Sequence, residues 1–105
     1  MRPRHLLAVL VLCAAGCRGP RPAVLSSTLR SAAGGGSVLE VVVENSGGGE
    51  GSIEVEVTLR SDRNLVRADR EVTLRAHERV RVDLPFDVPA DGSYRAEVTA
   101  KYPVD

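Results

Sequence analysis

The chain has 105 residues, of which 43% are hydrophobic and 27% are charged, a composition typical of one small globular domain. Fourteen basic residues balance fourteen acidic residues, and removal of residues 1–16 would take away two arginines and no acid. The remaining chain is mildly acidic, so we expect no nucleic-acid partner.

The first residues have the organisation of an export signal. A basic stretch, residues 1–5, precedes a run of ten apolar residues, 6–15. A membrane-spanning helix needs about 20 apolar residues, so this run instead has the length of a signal-peptide hydrophobic region. Small residues and Cys17 follow it. We therefore expect residues 1–16 to be a cleaved helical signal peptide.

The sequence Ala14-Ala-Gly-Cys17 resembles the lipobox of bacterial lipoproteins, in which small residues precede the cysteine that receives the lipid. This resemblance implies a diacylglyceryl group on the Cys17 thiol and cleavage just before it. Cys13 does not fit this role, because Leu12 stands where a small residue is needed. Ala14 departs from the leucine that is usual at its position, and an ordinary secretory signal is the alternative.

Location follows from the same resemblance. A lipid on Cys17 would anchor the protein to a membrane of the cell envelope, at its periplasmic or surface face. Inner-membrane lipoproteins often carry aspartate after the cysteine, whereas this chain has Arg18. The outer membrane is therefore favoured.

A tether follows the cysteine, and together they make up residues 17–37. Two prolines and a glycine in the segment 18–22 cannot continue a helix or a central strand. Residues 23–30 fit a first strand, but residues 18–37 also fit one flexible linker. The pattern leaves both open.

Residues 38–105 show the period-two alternation of apolar and polar side chains that is typical of β-strands. Alternate residues on a strand point to opposite faces, so the apolar members of each run should face a core. The expected inward rows are Leu39/Val41/Val43, Ile53/Val55/Val57/Leu59, Val72/Leu74, Val80/Val82/Leu84/Phe86 and Tyr94/Ala96/Val98/Ala100/Tyr102.

Turn-forming residues separate these runs, at 45–51, 61–64, 76–78 and 89–92. Short strands at regular spacing predict an all-β domain, specifically a single immunoglobulin-like antiparallel sandwich of about six to seven strands. Both cysteines, Cys13 and Cys17, precede this region, so no disulfide can staple the domain. Its apolar core must hold it together.

Three segments, with the Val55/Val57/Leu59 strand between the first and the second, resemble the immunoglobulin-like domains of the bacterial cell-adhesion-related type, known as CARDB. They are the strand ending in Asn45-Ser-Gly47, the segment Val80–Phe86 and the segment Asp91–Val98. Such domains usually carry a glycine where this chain has residues 76–78. The resemblance implies a non-catalytic protein-binding or adhesion module with a protein partner. The alternative is a structural accessory subunit of a cell-envelope complex.

Few residues could support catalysis. His77 is the single histidine after the signal, and it stands in an expected turn without a nucleophile motif. Glu54 and Glu56 share a strand face, as an acid/base pair would, but exposed sheet faces carry such charges routinely. Arg79 and Arg81 are candidates for cross-strand partners of these glutamates. We therefore expect no enzyme activity and no catalytic residues.

Metal and cofactor sites are not expected either. The aspartates have no calcium-loop spacing, although Asp87 and Asp91 leave open a weak calcium contact. The triglycine segments 34–36 and 47–49 do not lead into a helix with a lysine, so they are interpreted as turns or linker rather than phosphate loops.

Overall fold

The computed structural model describes residues 19–103, and within that range each regular element is a β-strand. The signal peptide expected at residues 1–16 and the lipidation expected at Cys17 lie outside the described residues. The strands are β1 Pro22–Ser31, β2 Ser37–Asn45, β3 Gly51–Arg60, β4 Leu65–Leu74, β5 Arg79–Phe86 and β6 Arg95–Lys101.

The described strands form two antiparallel sheets of three, in the orders β1-β2-β5 and β4-β3-β6. The sheets pack face to face around one apolar cluster, which confirms the all-β sandwich. Sequence-adjacent β2 and β3 belong to different sheets and are the middle strand of each.

The middle strands form the centre of the core because each has neighbours on both sides. Burial alternates along β2 and β3, with one face buried and the other partly exposed. The inward rows predicted on these strands are confirmed, and each side chain is at most 1% exposed: Leu39, Val41, Val43, Ile53, Val55, Val57 and Leu59.

Strand β1 resolves the choice between strand and linker. It pairs with β2 from Pro22 opposite Asn45 to Ser31 opposite Ser37, so residues 23–30 lie within a strand of the sandwich. The register shifts between Val24 and Ser26, which leaves Leu25 as the extra residue of a β-bulge. The bulge explains why the apolar residues of this segment do not alternate.

Strand β4 is longer than the short strand predicted around Val72 and Leu74, because it begins at Leu65. Arg70 stands opposite buried Val55, on the inward side of the sheet. A charged residue at an inward position interrupts the apolar alternation, and for this reason the pattern indicated only the last part of the strand.

The row predicted on β6 faces the core side but is not buried. Ala96, Val98 and Ala100 stand opposite the buried residues of β3 and pack against the core while only partly buried, whereas Tyr102 is 47% exposed. The expectation that Tyr102 points into the core is therefore wrong. At the edge of a sheet the side chains have no further strand to cover them.

Asn45 closes one end of the sandwich and is fully buried. Its Oδ1 accepts hydrogen bonds from the backbone N–H groups of Arg21 and Gly47, both at 3.0 Å. Its Nδ2 donates to three carbonyl oxygens at 2.8 to 3.2 Å, those of Gly49, Leu74 and Arg75. One side chain thereby joins the start of β1, the β2–β3 turn and the end of β4.

We expect Val57→Asp to unfold the domain. Val57 is 1% exposed on the middle strand of its sheet, and an unpaired buried carboxylate costs several kcal/mol. That loss is comparable to the entire stability of a small domain, about 5–15 kcal/mol. Circular dichroism should show no cooperative thermal transition. Thr58→Asp, one residue further and facing outward, is the control and should melt near the parent temperature; an unchanged transition in Val57→Asp would show that the core face is misassigned.

Asn45→Ala should lower the free energy of unfolding by about 3 kcal/mol or more, because each buried polar group left unsatisfied costs about 1–3 kcal/mol. Urea unfolding of the two proteins measures this loss. Ser46→Ala, at the exposed neighbouring residue, provides the matched control and should cost less than about 1 kcal/mol. Equal losses in both variants would mean that Asn45 does not hold the end of the sandwich.

Candidate functional site

The sheet edges are the candidate interaction sites of this sandwich. Among the described residues, four strands have a neighbour on only one side: β1, β5, β4 and β6. An edge strand exposes backbone N–H and C=O groups that can pair with another chain, and proteins commonly block this pairing with prolines, bulges or inward-pointing charges.

The two edges of the β1-β2-β5 sheet carry such blocks. In β1 the bulge at Leu25 breaks the regular spacing of backbone groups. In β5, Pro85 stands opposite Val38 inside the paired region, and proline has no N–H to donate. Neither edge offers a regular ladder to a partner strand.

Strand β4 has a different block. Arg70 lies on its inward side, where a partner strand would extend the apolar face, and its side chain is exposed. A strand added beside β4 would have to cover this guanidinium and remove it from water, at a cost in desolvation.

Strand β6 has none of these three blocks. It pairs with β3 without a register shift from Lys101 opposite Glu54 to Arg95 opposite Arg60. It contains no proline, and its inward side chains are small, apolar and partly buried: Ala96, Val98 and Ala100. No strand within residues 19–103 hydrogen-bonds to its other side, although β1 of the opposite sheet comes close to it. The β6 edge is therefore the regular, unblocked edge of the described sandwich.

Two large apolar side chains are exposed, one on β1 and one directly after β6. Leu25 in the β1 bulge is 45% exposed, and Tyr102 directly after β6 is 47% exposed. A strand placed beside β6 would extend the apolar inner face of the sheet on the side where β1 approaches. The sequence predicted the β6 strand but not this edge, because alternation does not show which strands end up in the middle. The small residues Ala96 and Ala100 were the available signal.

The outward face of β6 carries charged groups paired with β3. Lys101 Nζ lies 3.5 Å from Glu54 Oε1 and 3.4 Å from Glu56 Oε2. Glu97 Oε1 lies 3.6 Å from Arg60 Nη2. The two glutamates considered as an acid/base pair thus both lie beside one ammonium group, on a partly exposed sheet face.

Arg79 and Arg81 are not the partners of these glutamates, so that expectation is wrong. Arg79 Nη2 lies 3.3 Å from Glu44 Oε2, and Arg81 Nε lies 3.2 Å from Asp83 Oδ1. Both arginines are on β5, which belongs to the opposite sheet. Similar alternation on two strands does not reveal whether they share a sheet.

His77 occupies the turn between β4 and β5, as expected, and its side chain is exposed. Its backbone has a positive φ of 64°, a conformation that favours glycine. The carboxylate of neighbouring Glu78 accepts a hydrogen bond from the Arg75 N–H at 2.8 Å. The positive φ of His77 and the Glu78 hydrogen bond both shape the turn. Among the hydrogen bonds of residues 19–103, none joins His77 to a serine.

Asp91 also has a local role. Its carboxylate accepts hydrogen bonds from the Ser93 hydroxyl and from the Ser93 N–H, the latter at 2.9 Å. These two bonds lower the pKa of Asp91 below its usual range, the hydroxyl having the larger effect. The part of the chain that the structure describes holds no group of three His, Cys, Asp or Glu residues able to bind a metal ion.

Gly47 in the β2–β3 turn is required by close packing of the backbone. A Cβ atom at Gly47 would lie 2.2 Å from the carbonyl oxygen of Gly19, which no side chain allows. This turn packs against the segment that enters β1.

Over residues 19–103 no helix has the length and apolar character needed to cross a bilayer.

No protein-family model matches the chain, and no curated protein matches its sequence. Its fold is similar to part of a solved structure, that of DesR, a β-glucosidase from Streptomyces venezuelae in complex with D-glucose. The TM-score is 0.57 at 19% identity, and the match covers 78% of this chain but 13% of the DesR chain. This chain thus corresponds to a small fraction of that enzyme's length, and the likeness concerns the sandwich fold alone.

Proposed function

We propose that this protein is a lipid-anchored lipoprotein of the cell envelope and that its sandwich is a non-catalytic module that binds a protein through the β6 edge. One observation supports the binding role above all. Of the four edges in the described sandwich, β6 combines a regular ladder with small, partly buried apolar side chains. Addition of an extended segment to such an edge is an established mode of protein recognition.

The anchor would hold the sandwich close to a membrane. Only residues 18–21 separate Cys17 from the start of β1, and four extended residues span at most about 14 Å. The end of the sandwich that contains Asn45 and the start of β1 would then lie next to the bilayer. The CARDB-like segments agree with an exported binding module, and a structural accessory subunit of an envelope complex would use the same edge in a permanent contact.

Trapping by a photoreactive cross-linker tests the binding site. The cross-linker replaces Thr99, on the outward face of β6, and the matched control replaces Glu71, on the outward face of the blocked β4 edge. In intact cells we expect a specific protein adduct from position 99 and none from position 71. A stoichiometric adduct with one envelope protein would favour the accessory-subunit alternative. Equal adducts at both positions, or none, would contradict binding through β6.

Cys17→Ala should release the protein from the membrane, because it removes the thiol that would carry the lipid. Fractionation of cells should then find the variant among soluble proteins, while the parent stays with the membranes. Cys13→Ala is the matched control and should leave the parent distribution unchanged. Retention of Cys17→Ala on the membrane, or a mature N-terminus without lipid in mass spectrometry, would overturn the anchor.

A further inference from the structure

The partner of the β6 edge can be inferred from the charges along that edge. The outward residues of β6 alternate in the order Arg95, Glu97, Thr99 and Lys101. This row contains both signs of charge, so a strand that presents the same residues in reversed order can complement it, provided that the register places opposite signs across from each other. In an antiparallel pair formed by two copies of β6, the second copy presents its residues in that reversed order.

Two antiparallel copies of β6 can pair symmetrically about a single central residue, so that the inward side chains of both copies lie on one face. Three such registers pair at least five residues of each strand. Centred on Glu97, the pairing would place that carboxylate opposite its own copy. Centred on Val98, it would place Arg95 opposite Lys101 twice, and like charges directly opposite each other are destabilising. Centred on Thr99, it places Glu97 opposite Lys101 twice and Thr99 opposite Thr99. Only this last register is complementary.

We propose that the β6 edge binds a second copy of this protein, by antiparallel pairing of β6 with β6 in the register centred on Thr99. This inference rests on the proposed function and names its partner. The β4-β3-β6 sheets of two copies would join into one six-stranded sheet. Each copy would place Val98 opposite Ala100 of the other, extending the apolar inner face on the side where β1 approaches.

A shared membrane fits this arrangement. Lys101 pairs near the start of β3, and the segment that enters β1 packs at the same end, with Pro20 against Gly51 and Gly19 beside the Tyr102 ring. A two-fold axis at Thr99 places the tethered ends of the two copies on opposite sides of the axis, because the paired strands run in opposite directions. With the two-fold axis along the membrane normal, both anchors lie at the same height and can enter one bilayer, and confinement there raises the effective concentration of the partners.

Disulfide trapping in the intact envelope tests the register. A cysteine at position 99 would face its own copy across the two-fold axis, at the Cα separation of about 4.5–5.5 Å that a disulfide spans. We expect Thr99→Cys to give a covalent homodimer on mild oxidation, seen on non-reducing gels and lost on reduction. Glu97→Cys, on the same face two residues away, should stay monomeric, because its copy lies four residues along the strand. The parent protein has Cys17 but no cysteine at position 99, so it shows whether disulfides through Cys17 give a homodimer.

Adding Ala100→Arg to Thr99→Cys should abolish the homodimer. Ala100 and Arg70 flank Val55 on its two sides, so this change places on β6 the inward charge that β4 already carries. Thermal melting of the double variant checks that it still folds; if it does not, Val98→Arg places the same charge at the other inward position of the paired stretch. A homodimer that persists in a folded blocked variant would overturn the proposal.

The cysteine and photo-cross-linking experiments together separate failure of this inference from failure of the proposed function. A monomeric Thr99→Cys protein overturns the second copy as partner. If the photoreactive group at position 99 then traps a different protein, the binding edge remains and its partner is another chain. If it traps nothing, both proposals are wrong. Equal homodimer formation by Thr99→Cys and Glu97→Cys would also overturn the register, because random encounters between copies would cross-link both positions equally.

Discussion

Contact between the inward faces of β2 and β3 is the interaction on which the structure depends. These adjacent strands lie at the centres of opposite sheets, and their alternating Val, Leu and Ile side chains are buried almost completely. Residues 19–103 contain no cysteine, so within this range no disulfide joins the two sheets and the apolar core holds them together. Asn45 adds one polar tie, joining three chain segments at the end of the sandwich through five hydrogen bonds.

The small size of the sheets explains why edges dominate this molecule. With three strands in each described sheet, two out of three strands are edge strands. A bulge at Leu25, Pro85 and inward Arg70 interrupt three of these edges, whereas β6 remains regular. The contrast between blocked and unblocked edges in one domain is the physical basis for assigning binding to β6, since strand pairing needs both free backbone groups and a compatible inner face.

The polar residues that could suggest chemistry are engaged in the structure of the sandwich. Glu54 and Glu56 form ion pairs with Lys101, Glu78 bonds to the Arg75 backbone, and Asp91 bonds to Ser93. Ion pairs on partly exposed faces contribute little stability, usually below about 1 kcal/mol each. On β6 these pairs place charges of both signs along the outward face of the strand.

Period-two alternation by itself determined the strands, the inward rows of β2, β3 and β5, and the all-β class, because side chains on a strand must alternate between faces wherever one face is dry. It could not determine β1, whose bulge breaks the alternation at Leu25, or the full length of β4, where Arg70 takes an inward position. The assignment of β5 and β6 to different sheets, the burial of Asn45 and the open edge at Val98 were decided only by the tertiary structure. Strand order depends on long-range pairing, and the local pattern of one strand is the same whether it lies in the middle of a sheet or at its edge.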